Sequence, residues 1–514
     1  MSNGVDTTKI IVMNLNLLSK SSVFLTRQEE LDLALKKCTE YSFGLCNTKK
    51  SDIIIYDSFD GRLISKNILL FRSGEIFYLL NPRNKKYIFF EFNHPSAVFK
   101  ISDLKDEKIK KALSPASVRA LMPLLLMSGV IDVYNLKNND KKTIARCTIC
   151  RLNSDSFTFL VVTPLKGFKD ETDEFVNLLK SFGLNLSRGN IVSELLNKYP
   201  ELYITYSNKI QTVLNQNDLS DKAVSVIVAE LLKKAKTNLN GILHDYDTEF
   251  LHDYRVSLRK ARSILSGVGD VFDKEKAKYF RGIFKTFAQI TNKLRDIDVY
   301  LLRIPEFREE LPQYLNYGLD DIENYLLKLR ESESKKVNDF LQSPEFKADF
   351  GEAVGFFQKG YVDYPGELAG KNIYNVAAEA INDRLASPVK RVKKSKSMTP
   401  ETLHKLRIDF KELRYLIEAF GNVVYGEKTE ALLNKLKRFQ DEIGLYHDYH
   451  NHIIMLNYIL NEMSVKNDNT EKTVKQLEKI FAKKRDKLEK KVLERLDKFL
   501  QKKNISKYRP RGSK

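Results

Sequence analysis

The chain contains no tryptophan and only four cysteines, 13 prolines and 22 glycines among its 514 residues. A low glycine and proline content, together with 42% hydrophobic residues, predicts a folded protein and excludes a largely disordered one. Four cysteines are too few for a disulfide scaffold of this length, so we expect reduced thiols. The most apolar run, Leu121 to Val133, is interrupted by Pro123 and Gly129 and is too short to cross a bilayer.

The polar N-terminus, Met1 to Lys9, lacks the pattern of a signal peptide, so we expect a cytoplasmic protein without a membrane partner. Cys147 and Cys150 lie in a predicted strand, where a spacing of three places the two side chains on opposite faces. Zinc binding is the alternative for this pair. Because a closed zinc site needs four ligands and no second pair has matching spacing, we expect no metal and no cofactor.

The net charge is +19, from 86 basic and 67 acidic residues, which points only weakly to a polyanionic partner. A chain of this length is expected to form several domains. Residues 1–190 alternate between short β-rich runs and turn residues, which predicts an α+β domain with antiparallel strands. The predicted strands are Lys9–Leu17, Ile53–Ser58, Ile68–Arg72, Ile76–Leu80, Tyr87–Phe92, Val130–Asn135, Thr143–Leu152 and Phe157–Val162.

Three helices are predicted within this first domain. They run from Arg27 to Cys38 after a Thr26 cap, over Pro115 to Met127, and from Lys169 to Phe182 before a Gly183 stop. We assign 191–217 to a helical linker. Helical periodicity dominates from about Ser193 onward and predicts eight to ten helices in two related bundles. The amphipathic helix predicted over Lys472 to Lys502 is expected to pack on a bundle; a membrane-surface helix is the alternative.

The strongest pattern is an internal repeat. Residues 251–298, the first copy, reappear without gaps as residues 403–450, the second copy, at an offset of 152 residues. Cationic positions recur with some apolar ones. The candidate anion-binding residues are His252, Arg255, Arg259, Arg262, Lys285 and Arg295 in the first copy, and His404, Arg407, Lys411, Arg414, Lys437 and His447 in the second.

These cations are predicted to share a helix face. At 100° per residue, Arg255, Arg259 and Arg262 fall within an arc of about 80° that includes His252. Like charges so arranged repel unless an anion relieves them, and the length of the stripe favours a linear polyanion over a single small phosphate. The structural alternative is that the cations pair with neighbouring carboxylates such as Asp296, Asp298 and Asp448.

The repeat resembles the CHAD family, the conserved-histidine α-helical domain, over about residues 218–505. The resemblance rests on His252-x-x-Arg255-Val-x-x-Arg259-x-x-Arg262, on Leu294-Arg295-Asp296-x-Asp298-Val299, and on the corresponding second-copy motifs from Leu403 to Tyr415 and Lys437 to Asp448. It implies two pseudo-symmetric helical bundles, in repeats of about 218–307 and 370–505, that bind inorganic polyphosphate in a basic central channel. Where the family has glycine, the first copy has Asn292. Residues 506–514 are expected to be a disordered tail.

The first domain looks like a degenerate relative of the CYTH, or triphosphate-tunnel, fold, a β-barrel enclosing a tunnel. The resemblance rests on Tyr56-Asp57-Ser58-Phe59-Asp60-Gly61-Arg62-Leu63, on Gly167-Phe168, and on Ser114-Pro115 with Arg119-Ala120-Leu121 and Pro123. Active members carry a Glu-x-Glu-x-Lys motif that holds a metal, whereas the strand at Lys9 to Leu17 has no acid. We therefore expect no catalysis. The domain is then either a barrel retained for stability or partner binding, or one in which Arg72, Arg146 and Arg151 remain as anion contacts.

Together these patterns predict a non-catalytic, cytoplasmic polyphosphate-binding protein, associated with polyphosphate granules. Two alternatives remain at this point. One is a metal-dependent tripolyphosphate hydrolase of the tunnel type, and the other is a nucleic-acid-binding protein. Nucleic acid is disfavoured because the cationic stripes carry few interleaved aromatic residues for base stacking and tryptophan is absent.

Overall fold

The chain divides into two compact units, Met1–Tyr206 and Ser207–Lys514. The computed structural model describes residues 21–510 except 82–85, 153–156, 187–192, 194–195, 198, 200–205, 360–363, 395–397, 464–466 and 502–504. The predicted strand Lys9–Leu17 therefore lies outside the described residues.

The first unit is built on one antiparallel sheet, as predicted. Its described strands are β1 (Ser22–Thr26), β2 (Ser42–Ser58), β3 (Leu69–Ser73), β4 (Ile76–Asn81), β5 (Lys86–Glu91), β6 (Phe99–Lys100), β7 (Ala120–Lys137), β8 (Thr143–Leu152) and β9 (Phe157–Pro164). The hydrogen-bonded order is β1-β9-β8-β7-β2-β3-β4-β5, and β6 pairs with β7. The helices are α1 (Gln28–Lys37), α2 (Glu107–Leu113) and α3 (Lys169–Ser181).

The sheet is rolled around an apolar interior. Phe71 on β3 and Phe159 on β9 are separated by three intervening strands, which in a flat sheet would hold them about 19 Å apart. Their ring centroids lie only 6.3 Å apart. The rolled shape agrees with the predicted barrel-like domain. Ile53, Leu69 and Leu152 pack around these rings, and the small pocket that they line together has no room for a water molecule.

The outer face of the sheet is covered by helices. Leu31 and Ala34 of α1 and Phe175 and Leu179 of α3 pack over one part of it. Cys147 belongs to this outer cluster, whereas Cys150 packs in the interior. The prediction that the two thiols occupy opposite faces is confirmed.

Two details of the first unit differ from prediction. The helix expected over Pro115 to Met127 is wrong, because a 3-10 turn covers Ser114–Ala116 and β7 begins at Ala120. β7 pairs along β2, and Pro123 sits at a register shift of that pairing, where its missing N–H is tolerated. The Thr26 hydroxyl donates to the Glu30 carboxylate, while Arg27 holds the N-cap position of α1.

The described helices of the second unit lie between Ser220 and Leu500. They are α4 (Ser220–Leu243), α5 (Thr248–Gly267), α6 (Lys274–Ile290), α7 (Asn292–Glu310), α8 (Asn316–Gln342), α9 (Pro344–Gln358), α10 (Ile373–Lys394), α11 (Pro400–Tyr425), α12 (Thr429–Glu462) and α13 (Asp468–Leu500). The number of helices agrees with the eight to ten predicted.

The two copies of the repeat fold alike except at one point. α5 corresponds to α11, and these two helices pack against each other. The continuous helix α12 corresponds to the pair α6 and α7, which are separated at Thr291. Shifted by the repeat offset, Asn292 at the start of α7 matches Gly444 in the middle of α12.

Two predictions at the edges of the second unit need correction. Residues 206–219 are not helical, so a helical linker does not hold there; their polar groups instead meet α4, where Glu230 accepts hydrogen bonds from Gln211 and Thr212. The expected disorder from residue 506 is also wrong for Ser506–Tyr508, which form a 3-10 turn. Tyr508 is buried and packs against Phe499, with 5.2 Å between ring centroids.

Candidate functional site

The first helix of each copy presents its cations on one face. α5 begins where the Asp247 carboxylate accepts from the N–H groups of Glu249 and Phe250, which satisfies first-turn donors. Apolar residues such as Phe250 and Leu258 are buried. The cationic residues are all half-buried on the remaining face, as are their counterparts on α11: His252, Arg255, Arg259, Arg262, His404, Arg407, Lys411 and Arg414.

A cavity of about 300 Å³ opens beside α5, hereafter the first-copy cavity. Its lining consists of Arg255, Arg259, Arg262, Lys285, Ala288, Gln289 and Asn292. Four cations thus face one space, and none of the lining residues is acidic. Among the described residues, Arg262 and Lys285 have no ion-pair partner. The cavity can therefore offer several cationic donors to an anion.

Arg255 also holds the break between α6 and α7. Its Nη1 donates to the Ala288 carbonyl and to the Thr291 hydroxyl at 2.6 Å each, and its Nη2 donates to Asn292 Oδ1 at 2.8 Å. Burial and then neighbouring Arg259 lower the pKa of Arg255 to about 10. Arg255 is therefore as much a structural residue as a ligand candidate. Asn292, where the family has glycine, serves here as its acceptor.

The second copy places its cations without such a break, in a group hereafter called the second-copy cluster: His404, Arg407, Lys411, Arg414 and His447. Arg407 lies against Gly444, since a Cβ built there would meet its guanidinium at 4.0 Å. Arg407 Nη2 lies 3.6 Å from Asp448 Oδ1, and Arg414 Nε lies 3.3 Å from Glu418 Oε1. Part of the positive charge is thus offset by carboxylates, as the structural alternative requires.

Lys411 is the least compensated member of the cluster. Burial, followed by repulsion from Arg407, Arg259 and Arg414, lowers its pKa to about 7. Arg259 belongs to the first copy, so the cations of the two copies come close enough to interact. The Arg259 Nε also donates to the Tyr415 hydroxyl of α11 at 3.0 Å. The two cationic faces therefore meet where α5 packs on α11.

The histidines of the second copy contact each other. His404 Nδ1 and His447 Nε2 are 2.8 Å apart. Burial and then Arg407 lower the pKa of His447 to about 3, and the same two causes lower the pKa of His404. Both rings are therefore neutral at pH 7 while no anion is bound.

Two predicted site residues lie elsewhere. Arg295 donates to the Thr248 carbonyl at 3.1 Å and lies 3.6 Å from Glu249 Oε1. Its guanidinium group is therefore engaged by the first turn of α5. Lys437 is exposed on α12 and is not among the residues that line the first-copy cavity. Gln289 and Asn292, which do line it, were not predicted. Gln289 lies four residues after Lys285 on the same face of α6, which could have identified it, whereas Asn292 begins α7 beyond the break at Thr291.

In the first unit, the residues that resemble the tunnel-fold motif make structural contacts. The buried Asp57 carboxylate accepts from the N–H groups of Leu63 and Ile64 at 2.9 and 2.8 Å, which fixes the turn after β2. Asp60 lies 3.5 Å from the buried Arg119, so two segments of the motif meet in an ion pair. Burial raises the pKa of Asp57 to about 6.

The arginines proposed as anion contacts in the first unit have other surroundings. Arg72 lies over the rings of Tyr56 and Phe77, 5.8 Å from each centroid. Arg151 pairs with Asp132. Both project from the outer face of the sheet, because they alternate with the interior residues Phe71 and Cys150. Of the three arginines, only Arg146 alternates in phase with the interior residues of its strand, such as Cys150 on β8.

Residues 226–456 match the sequence model of the CHAD domain family. The chain carries a CHAD domain. Its fold resembles a crystal structure of the CHAD domain from the plant Ricinus communis, at 17% identity and a TM-score of 0.46, covering 54% of this chain and 91% of that one. It also resembles PptA from Streptomyces chartreusis, at 12% identity and a TM-score of 0.43, covering 55% and 100%. No curated protein matches the chain.

The matched residues contain both copies of the repeat, so the CHAD domain includes the first-copy cavity and the second-copy cluster. Across the described residues, no group of three or more His, Cys, Asp or Glu side chains is arranged to hold a metal ion. In the same part of the chain, no helix combines the length and hydropathy needed to cross a bilayer.

Proposed function

We propose that the CHAD domain binds inorganic polyphosphate where its two copies meet. The observation that carries this proposal is the first-copy cavity, in which Arg255, Arg259, Arg262 and Lys285 face a common space without an acidic neighbour in the lining. The second-copy cluster extends the positive charge beyond it through Arg259 and Lys411. The basic channel expected from the family resemblance corresponds, in this proposal, to these two regions taken together.

The arrangement suits a linear polymer of phosphates. Arg255 and Arg262 are seven residues apart on α5, which separates them by about 10 Å along the helix, more than one phosphate group can bridge. Planar guanidinium groups bind phosphate oxygens in pairs, whereas ammonium groups act as point charges. A site that combines both accepts a repeating anion at many registers.

Nucleic acid fits this site less well. None of the residues that line the first-copy cavity is aromatic, so the cavity offers no ring on which a base could stack. Tyr415 lies nearby, but it is buried and its hydroxyl accepts from Arg259. The proposed partner is therefore a phosphate polymer without bases.

We further propose that the first unit is non-catalytic. Among the described residues, apolar side chains such as Ile53, Phe71 and Phe159 pack inside its rolled sheet, and no group of acidic, histidine or cysteine side chains is arranged to hold the metal that phosphoryl transfer needs. The same proposal places the protein in the cytoplasm at polyphosphate granules. Imaging a tagged chain against stained polyphosphate tests that location, and a distribution independent of the stain contradicts it.

Binding of long-chain polyphosphate to the full chain should be saturable and should weaken with salt. Because each released counterion contributes a slope of about −0.7 in a plot of log K against log salt, engagement of four cations gives a slope of about −3. Fluorescence titration at several salt concentrations measures it. Single-stranded DNA of equal total charge should compete poorly; equal competition would instead favour a nucleic-acid binder.

Tripolyphosphate should remain intact in the presence of the full chain and either Mg²⁺ or Mn²⁺. The physical reason is that the described residues assemble no group of acidic, histidine or cysteine side chains for the metal ion that phosphoryl transfer requires. Colorimetric detection of released phosphate checks this expectation. Turnover that scales with protein concentration, and that survives repurification, would refute the non-catalytic assignment.

A further inference from the structure

The two copies of the repeat differ in which of their cations can lose a proton. Arg259 of the first copy is replaced by Lys411 in the second, and Arg295 is replaced by His447. Arginine stays charged across the neutral pH range, whereas lysine and histidine titrate there when their surroundings disfavour the charge. The second-copy cluster therefore contains titratable groups at two positions where the first copy carries permanent charge.

The surroundings of Lys411 disfavour its positive charge in the absence of an anion. Among the described residues Lys411 has no ion-pair partner, and three guanidinium groups lie near it. The charged and titratable groups that interact with it are Arg407, Arg414 and His404 on α11 itself, Arg259 on α5, and His447 and Asp448 on α12. α5 and α10 also carry cations that face carboxylates of α11. Lys260, Arg384 and Arg391 are paired with Glu418, Glu412 and Asp409. One nearby carboxylate, Asp448, opposes the repulsion.

The histidine pair limits protonation in a second way. With His404 Nδ1 only 2.8 Å from His447 Nε2, the contact has room for one proton between the two rings. Two charged imidazolium groups would place two N–H donors against each other. The pair can therefore take up a second proton only when a new acceptor, such as a phosphate oxygen, separates or bridges the rings.

We propose that the second-copy cluster takes up protons when polyphosphate binds, so that affinity rises as the pH falls. The proposal rests on the proposed function, because the ligand's negative charge is what makes the protonated forms favourable. Phosphate oxygens offset the repulsion among Arg259, Arg407 and Arg414, and Lys411 then keeps its proton. The first-copy cavity, whose cations are three arginines and the exposed Lys285, supplies binding that varies little with pH.

Proton linkage sets the direction in which the polyphosphate affinity changes with pH and the pH range in which it does so. Free Lys411, with a pKa of about 7, is largely neutral above pH 7 and charged in the complex. One proton is then absorbed per binding event, and the affinity should fall by up to about tenfold per pH unit between pH 7 and pH 9. Below pH 6.5, the lowered pKa values of His404 and His447 add a further dependence in the same direction.

The test is isothermal titration calorimetry of the full chain with long-chain inorganic polyphosphate at pH 8. Buffers of different ionisation enthalpy report the number of protons absorbed. The wild-type chain should absorb close to one proton, and Lys411→Arg should absorb close to none, because Arg keeps its charge. The ratio of the affinities of Lys411→Arg and wild type should grow as the pH is raised to 9. Arginine is already found at the equivalent position of the first copy, where the residue is Arg259.

Lys411→Met is the second variant, in case the larger guanidinium disturbs packing. It removes the titrating group while keeping a stem of similar length, so its affinity should vary little between pH 7 and pH 9. Equal proton uptake by the wild-type chain and both variants, with binding intact, would overturn the linkage and leave the proposed function standing. Failure of the wild-type chain to bind polyphosphate at any pH would overturn both.

Discussion

Replacing Arg259, Arg262 and Lys285 together with glutamine should weaken polyphosphate binding on the order of 1000-fold, at about 1.5 kcal/mol for each charged hydrogen bond lost. The three residues line the first-copy cavity, and Arg262 and Lys285 have no ion-pair partner among the described residues. Glutamine removes the charge and keeps part of the aliphatic portion of each side chain. Arg255 is left in place because it satisfies acceptors at the break between α6 and α7.

The matched control is Lys479→Gln/Lys483→Gln/Lys487→Gln on α13. These lysines are exposed and, within the described residues, have no ion-pair partner, so the control removes the same net charge from outside the cavity. Titration at several salt concentrations should show a salt slope smaller by about two for the cavity variant alone. Equal losses in both variants would mean that binding follows total charge, and the proposed site would be wrong.

Arg330→Met should destabilise the helical unit by about 3–5 kcal/mol, because it leaves a buried carboxylate without its partner. Arg330 Nε donates to Asp298 Oδ1 at 2.7 Å, and the Asp298 side chain is only 1% exposed. The same guanidinium donates two further bonds to Asp245 at 2.5 and 2.6 Å. Asp298 thus pairs with an arginine on α8, outside the cationic stripes.

Arg308→Met is the control for this loss. Arg308 also joins α7 to α8 through two carboxylates, Asp320 at 2.7 Å and Glu323 at 2.9 Å, but these are 47% and 37% exposed. Exposed pairs contribute about 0–1 kcal/mol. Urea unfolding of the full chain, followed by far-ultraviolet circular dichroism, compares the two. Similar midpoints for both variants would contradict the assigned importance of Asp298 burial.

Helical periodicity made most of the second unit predictable. The repeat offset located α5 and α11, and the arc of cations on α5 faces one cavity as the helical geometry required. The break at Thr291 was not predictable, because the same pattern continues through α12 without interruption. What decides it is the hydrogen bonding of Arg255 to the Ala288 carbonyl, a contact between helices that no spacing within one helix reveals.

The strands were harder to predict where apolar and polar residues do not alternate along the sequence. The run from Ala120 to Met127 is rich in Leu and Met, which favour helix, yet it pairs with β2 from Leu121 to Met127 with one register shift. The first half of β2, from Ser42 to Asp52, is polar and lacks an apolar alternation, so it was missed. In both places tertiary pairing overrides local preference.

The sequence predicted which cations belong to the candidate site, but not which of them are ligand candidates and which are held by structural contacts. Arg295 is held by the Thr248 carbonyl and by Glu249, both of which lie at the beginning of α5. Arg407 is close to Asp448, as its spacing in the motif allowed. Contacts to backbone carbonyls at helix ends depend on how helices pack, which explains why sequence spacing could not separate ligand candidates from structural residues.

The interruption between α6 and α7 also changes what the peptide backbone contributes. α7 begins at Asn292 with the positive end of its peptide dipoles at the first-copy cavity, but the last turn of α6, which carries Ala288 and Gln289, brings the negative end of its own dipoles to the same place. The second copy, with α12 running unbroken past Gly444, has no counterpart. Because these opposite partial charges lie side by side at Thr291, the backbone there adds little net charge, and variants stripped of the basic side chains should lose their attraction for anions.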